Sequence, residues 1–368
     1  MEGKIITLVV LTFERAHVLK SLLESEDIEC FLENTNLIQG AVSTGVKVRI
    51  PEDALEGALK VLESMMQEEF KLPTREQVPP RILLPVDFSE YSKKAAIIAI
   101  DWAAVLGAEL TVLHTYFNPI LSTMPFSDSF AYEMNLEDLA SDLEDKAIAG
   151  MNKFKAFLDE KNELLGDKKI TIKTELEKGV AEDEIISYSK VYMPLVIIMG
   201  TRGKDKKVAD LIGSVTAEVV ERAKVPVLAV PEDFHYKGID KLKNILYATD
   251  FMDGDFKAIR ILEKIAKPLD MKVVCAHVSP RDHLEWDDVK LKGLKEHFKK
   301  IYGETHVDCD LIEHEDLYIA LESYVREKDI DILSFTRRRR SLISKLFNPN
   351  IAKKMLFHSN TPLLVFND

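Results

Sequence analysis

The chain has 368 residues, 62 acidic and 49 basic, and a formal net charge of −13. At roughly 100 to 200 residues per domain this length calls for two or three domains. An apolar fraction of 46% with 30% charged residues excludes bulk disorder. The acidic balance disfavours general nucleic-acid binding, because a phosphate backbone is repelled unless a basic patch is local. Cys30, Cys275 and Cys309 lack Cys-x-x-Cys spacing and cannot form an even disulfide framework, so a reducing, cytoplasmic setting is expected. The apolar run 95–108 is broken by Asp101 and falls short of the ~20 residues a bilayer demands, so no membrane partner is expected. No secretory signal is expected either, since the first residues lack a basic start and a small-residue cleavage site.

Residues 1–70 read as a separate small α+β module with a ferredoxin-like pattern. It consists of a strand (KIITLVVLTF), a helix over 16–26, strands over 28–32 and 45–50, and a helix from Pro51 carrying Ala54, Ala58, Leu59, Leu62 and Met65. Seventy residues lie near the lower limit for independent folding. A Pro-containing linker, 71–80, follows.

Two repeats then occupy 81–231 and 242–368, separated by a second linker at 232–241. RILLPVDF (81–88) is matched by NILYATDF (244–251), and the 27 residues from Asp87 to His114 recur between Asp250 and His277. Each repeat closes on a strand pair: LVIIMGT with VPVLAV, and DILSFT with TPLLVF. After Asp87, Ser89 can cap a helix whose Ala95, Ala99, Trp102, Ala103 and Leu106 form one apolar stripe, with Gly107 as the stop. Strands apolar throughout, alternating with such helices, predict βαβ units and a parallel sheet covered on both faces. Repeat one carries an insertion, mostly 116–150, with an acidic helix expected over 136–146. His114 reads as a packed strand residue rather than a catalyst.

In repeat one the segment GTRGKDKKVADLIGS places Gly200, Gly203, Gly213 and Ser214 between a strand and a helix. Glycines there let backbone N–H groups approach a phosphate and allow positive φ. Gly213-Ser214 opens a helix whose N-terminus attracts anions. Arg202 and Lys204 could add positive charge. Asp87 sits at the carboxyl end of the first strand, where open parallel sheets bind ligands.

PVDFS, the LH of the second strand and above all GTRGKDKKVADLIGS resemble the universal stress protein family, here as a tandem over residues 80–368. The first 70 residues, through LLESEDIECFLEN and VRIPEDALEGALKVLES, resemble a small bacterial module described as signal-transducing. The resemblance implies two flavodoxin-like or Rossmann-like parallel-sheet domains and bound ATP, with Mg²⁺ arriving on the nucleotide. It also implies that Pro85 and Asp87 line the adenine and ribose pocket, that Thr115 lies beside the base, and that Val86, Met199 and Val215 flank the same site. The family dimerises through its last strand, so the last strands of the two repeats are expected to pair within the chain, and a homodimer is a further expectation.

Aligned on the preceding strand, Gly200 and Gly203 become Phe335 and Arg338 in repeat two, which predicts a lost triphosphate site. Arg337 to Arg340 could bind an anion, a nucleic acid or an acidic partner, but pairing of a solvated loop with this acidic protein is the expectation. The resulting reading is an ATP-binding stress-response regulator with an unidentified downstream protein, little hydrolysis, no catalytic residue and no dedicated metal site. Two alternatives stay open: an adenine-nucleotide enzyme (a slow ATPase, or ATP-pyrophosphatase-like), and a ligand-free interaction module. ATP-pyrophosphatases carry a Ser-Gly-Gly-x-Asp-Ser loop where this chain reads PVDFSE, and a ligand-free module has no use for Gly200 to Ser214.

Overall fold

Alternating burial along β1 (Ile5–Leu11) and β3 (Val46–Pro51) gives the N-terminal sheet one face to cover. The computed structural model describes residues 5–11, 13–34, 46–69, 79–117, 130–201, 213–250, 253–281, 288, 291–292, 295, 307–337 and 360–367. Both β1 and β2 (Phe31–Asn34) pair antiparallel with β3, in the order β1-β3-β2. This is the split βαβ arrangement of ferredoxin-like folds, with three strands among the described residues. Helices α1 (Phe13–Ser25) and α2 (Leu55–Glu69) cover it with Ala16, Leu19 and Leu23, and with Ala58, Leu59, Leu62 and Met65. The second strand starts later than expected because Asp27 turns at φ 57° and the Ile28 amide bonds back to Leu23 O, so the helix exit consumes Ile28. Pro51 leads into a 3-10 turn, Glu52–Ala54, before α2 begins.

The described residues form two compact units, one from 1–78 with 243–336, the other from 79–242 with Arg337 and 360–367. In the second unit β4 (Arg81–Pro85), β5 (Glu109–Tyr116), β6 (Ile172–Lys178), β7 (Val196–Gly200) and β8 (Val227–Val230) are joined in parallel in the order β8-β7-β4-β5-β6. The crossovers are α3 (Glu90–Leu106), α4 (Phe130–Glu163), α5 (Ala181–Tyr192) and α6 (Ser214–Arg222). Ser89 caps α3 and Gly107 ends it at φ 62°, as the sequence predicts, with Ala95, Ala99, Trp102 and Ala103 fully buried. The insertion helix is far longer than the expected 136–146. Ala147, Met151, Phe154 and Leu158 recur at helical spacing and are buried, and that stripe carries α4 on to Glu163. The linker after β8 is fastened to α3, where Tyr236 donates to Asp101 Oδ2 at 2.7 Å and Lys94 to Glu232 O.

In the first unit β9 (Asn244–Ala248), β10 (Lys272–Ser279), β11 (Val307–Glu313) and β12 (Ile332–Arg337) form the order β11-β10-β9-β12, with α7 (Asp253–Ala266) and α8 (Leu317–Glu327). Arg81 faces Glu109 in repeat one as Asn244 faces Lys272 in repeat two, so the sequence repeat is a register repeat. The chain's last described strand, β13 (Leu363–Asn367), pairs antiparallel with β8, setting Leu364 opposite Leu228. Those are the last strands of the two repeats. Among the described residues no helix is long and apolar enough to cross a membrane, and all three cysteines are buried thiols.

Candidate nucleotide site

In the order β7-β4-β5 the chain leaves β4 toward β5 and later lays β7 on the other side, which makes the carboxyl end of β4 the switch point where such sheets bind ligands. Pro85 and Val86 are buried there, and Thr115 is half-buried at the matching end of β5. Val86 N donates to Leu113 O at 2.8 Å, and His114 Nδ1 lies 2.7 Å from Val86 O. His277 repeats the bond to Thr249 O at 2.6 Å. Each histidine therefore ties the second strand of its repeat to the exit of the first.

The loop beyond is held tightly. Asp87 Oδ1 accepts from Ser89 N at 3.0 Å and from Ser92 Oγ at 2.6 Å, while Asp87 N donates to Ser92 Oγ at 3.0 Å. Asp87 thus braces the first turn of α3. Ser92 went unnoticed in the sequence, although a polar residue five places after the aspartate recurs as Asp255. Phe88 is held at φ 62°, a region costly to a bulky side chain. Its ring lies 4.1 Å from the His114 ring and presses on Gly150 of α4, where a Cβ would stand 2.6 Å from Phe88 Cε2.

At the end of β7, Met199 is buried and Thr201 N donates to Val230 O at 3.0 Å. Thr201 O accepts from Gly213 N at 2.7 Å, and Thr216 Oγ1 donates to Gly200 O at 2.9 Å. The start of α6 is thereby pinned to the end of β7. Gly213 caps α6 without a side-chain bond, and Ala217 N is the first amide that bonds back to Gly213 O, at 3.1 Å. The amides of Ser214, Val215 and Thr216 precede the ladder, and the helix directs its positive dipole end there. Ser214 is exposed and Val215 half-buried. At the other end of α6, Arg337 donates to Glu221 O at 2.9 Å and to Glu221 Oε1 at 2.7 Å, and Asn367 Nδ2 reaches Val220 O and Ala223 O at 2.9 and 2.7 Å. A cation and two amide N–H groups thus satisfy the carbonyl end of the helix. Arg202, Gly203, Lys204 and Arg338 to Arg340 lie outside the described residues.

Gly200 is needed for a different reason from the one its motif suggests. It is not among the positive-φ residues, and Gly213 has φ −64°. A Cβ on Gly200 would stand 2.9 Å from Tyr91 Cβ and 3.1 Å from the Tyr91 backbone, so β7 and α3 approach too closely for any side chain. Repeat two corrects the alignment and explains it. Ile82 faces Val196 and Ile245 faces Ile332, so the residue in the place of Gly200 is Thr336, not Phe335. Matching the apolar runs of the two strands slips by one residue, which hydrophobic patterning alone does not detect when both faces are buried. Counting from the aspartates, the place of Tyr91 is taken by Gly254. By position, repeat two has threonine where repeat one has Gly200, and glycine where repeat one has Tyr91. Thr336 Oγ1 lies 2.7 Å from Tyr247 OH, which donates to Asp255 Oδ1 at 2.8 Å, while Asp255 Oδ2 accepts from Thr249 Oγ1 at 2.8 Å and Asp250 N at 3.0 Å. Side chains bonded to one another fill this end of repeat two.

Sheet order and strand ends together define doubly wound α/β domains, with a switch point at the carboxyl end of β4. The chain belongs to the universal stress protein family, whose model matches residues 80–231 and 241–367. Residues 14–66 match a family of prokaryotic proteins provisionally described as signal transducing. Universal stress protein MJ0531 of Methanocaldococcus jannaschii is 29% identical over 155 residues, 42% of this chain and 84% of that protein. Universal stress protein YxiE of Bacillus subtilis is 23% identical over 151 residues, 41% of this chain and 97% of its own length. Among solved structures, a universal stress protein from Archaeoglobus fulgidus superposes with a TM-score of 0.54 at 22% identity, covering 79% of this chain and 97% of its own, a likeness of fold.

Proposed function

We propose that the chain is a nucleotide-binding regulator that holds one ATP in repeat one and turns it over slowly. The observation that carries this reading is the 2.7 Å bond from Gly213 N to Thr201 O, which sets the uncapped N-terminus of α6 beside the end of β7, next to the Asp87 loop. Adenine and ribose would lie along Pro85, Val86, Asp87 and Thr115, and the phosphates would take the amides from Ser214 to Thr216, with Gly203, Arg202 and Lys204 as further contacts. The fit favours an anion: the glycine cap brings no side chain to those amides, and the hydroxyl of Thr336 has no counterpart at Gly200. Among the described residues no group of three or more His, Cys, Asp or Glu is placed to hold a metal ion, so a Mg²⁺ would travel on the phosphates.

The slow-turnover reading is supported by the structural use of Asp87, whose Oδ1 accepts from Ser89 N and Ser92 Oγ and braces the first turn of α3. A base must reach the proton it abstracts. The expected rate of phosphate release is far below the ~10 s⁻¹ typical of enzymes. Mass spectrometry of material released from purified protein tests the binding: ATP supports the reading, an adenylated product turns it toward an enzyme, and no nucleotide removes it. Steady-state phosphate release tests the turnover, with Gly203→Val as the control; a rate above about 1 s⁻¹ that vanishes in the variant would indicate an enzyme.

A further inference from the structure

We propose that Cys275 and Cys309 form a reversible dithiol–disulfide couple oxidised by a hydroperoxide. Independently of the nucleotide reading, the geometry of repeat two carries this. Cys275 of β10 and Cys309 of β11 are direct register partners in a parallel pair, so both side chains leave the same face of the sheet. Neighbouring strands run about 4.8 Å apart, inside the ~4.4 to 6.8 Å separation of Cα atoms that a disulfide spans. Both thiols are buried. Cys30, in the core of the N-terminal module, belongs to a different cluster.

The row across the sheet reads Cys309, Cys275, Tyr247, Ser334, and the matching row in repeat one reads Thr174, Val112, Leu84. Both cysteines are thus particular to repeat two, lying in register with the tyrosine of the Tyr247–Asp255–Thr336 network. Their buried surroundings set the order of events. The neighbouring Cys309 thiol, burial, and the carboxylates of Asp255 and Glu263 push the Cys275 thiol up, so it keeps its proton. Cys309, on the edge strand β11 and less deeply buried than Cys275, is the sulfur a small oxidant meets first.

In the first step the Cys309 sulfur attacks the peroxide, an S–O bond forms, the O–O bond breaks, and the alcohol leaves with the thiol proton, giving a sulfenic acid. In the second, Cys275 sulfur attacks that sulfur, the S–S bond forms, the S–O bond breaks, and water leaves with the Cys275 proton. Two thiols and one hydroperoxide become one disulfide, one alcohol and one water, and the two electrons pass to the peroxide oxygen. The product fastens the edge strand β11 to β10 beside the Tyr247 network, so oxidation state is felt at the carboxyl end of repeat two.

The full chain is treated with tert-butyl hydroperoxide, alkylated under denaturing conditions, digested and read by mass spectrometry. A linked Cys275–Cys309 peptide as the main product of Cys275 is expected, restored to two alkylated thiols by dithiothreitol, unchanged in Cys30→Ser and absent in Cys309→Ser. Cys275→Val, which installs the repeat-one residue, keeps the core apolar and is expected to leave Cys309 as a sulfenic or higher acid. Alkylated Cys275, unlinked oxidised cysteines, or links through Cys30 as the main product in the unmutated chain would overturn the proposal.

Discussion

Placing a methyl group on Gly200 tests whether the glycine serves packing as well as ligand approach. The ideal Cβ of Gly200→Ala would stand 2.9 Å from Tyr91 Cβ and 3.1 Å from Tyr91 C and O. Two of those atoms are backbone, so the first turn of α3 must shift, and overpacking of this kind costs about 1 to 3 kcal/mol. Tyr91→Gly removes the closest atom but loses a buried ring and helix propensity, so alone it also destabilises. Repeat two already combines the two changes as Thr336 with Gly254. The double variant is therefore expected to be more stable than the sum of the singles, by about 1 kcal/mol or more. Urea unfolding followed by Trp102 fluorescence, in a Trp286→Phe background that leaves one tryptophan, reads the transition where the strain falls. Additivity to within about 0.5 kcal/mol, or an unaltered Gly200→Ala midpoint, would mean that no such clash exists between Gly200 and Tyr91.

Replacing Leu228 and Leu364, which face each other across β8 and β13, by lysine buries two like charges and is expected to split thermal unfolding into separate transitions; one unaltered transition would count against the pairing. Asp308 is held down to about 2, chiefly by its bond to Lys295, with Cys309 N and Lys272 assisting against burial. Because its carboxyl is depressed in the folded chain, the stabilisation is present above the ordinary value near 4 and fades as pH falls toward 2. With a side chain 35% exposed, solvent screening limits it to about 1 kcal/mol. Asp308→Asn should flatten the acid limb of stability between those values, and an unchanged limb would assign the loss elsewhere.

The two repeats were legible because an aspartate and a histidine at equal spacing do the same work twice: each histidine bonds the carbonyl just before its repeat's aspartate. The Ser89 cap and Gly107 stop were legible because both are local backbone chemistry. What escaped was non-local. The length of α4 depends on an apolar stripe beyond its acidic start, the position of β2 on how α1 unwinds at Asp27, and the register of β12 on hydrogen bonds to β9 rather than on apolar count. The packing partners of two glycines, Tyr91 for Gly200 and Phe88 for Gly150, come from other elements and leave no mark in the local sequence.

Titration calorimetry with ATP is the most direct test of one nucleotide per chain. About one ATP is expected to bind per chain, with affinity reduced at least tenfold, ~1.4 kcal/mol, by Gly203→Val. Two bound per chain, none, or an affinity untouched by the substitution would exclude a single site in repeat one.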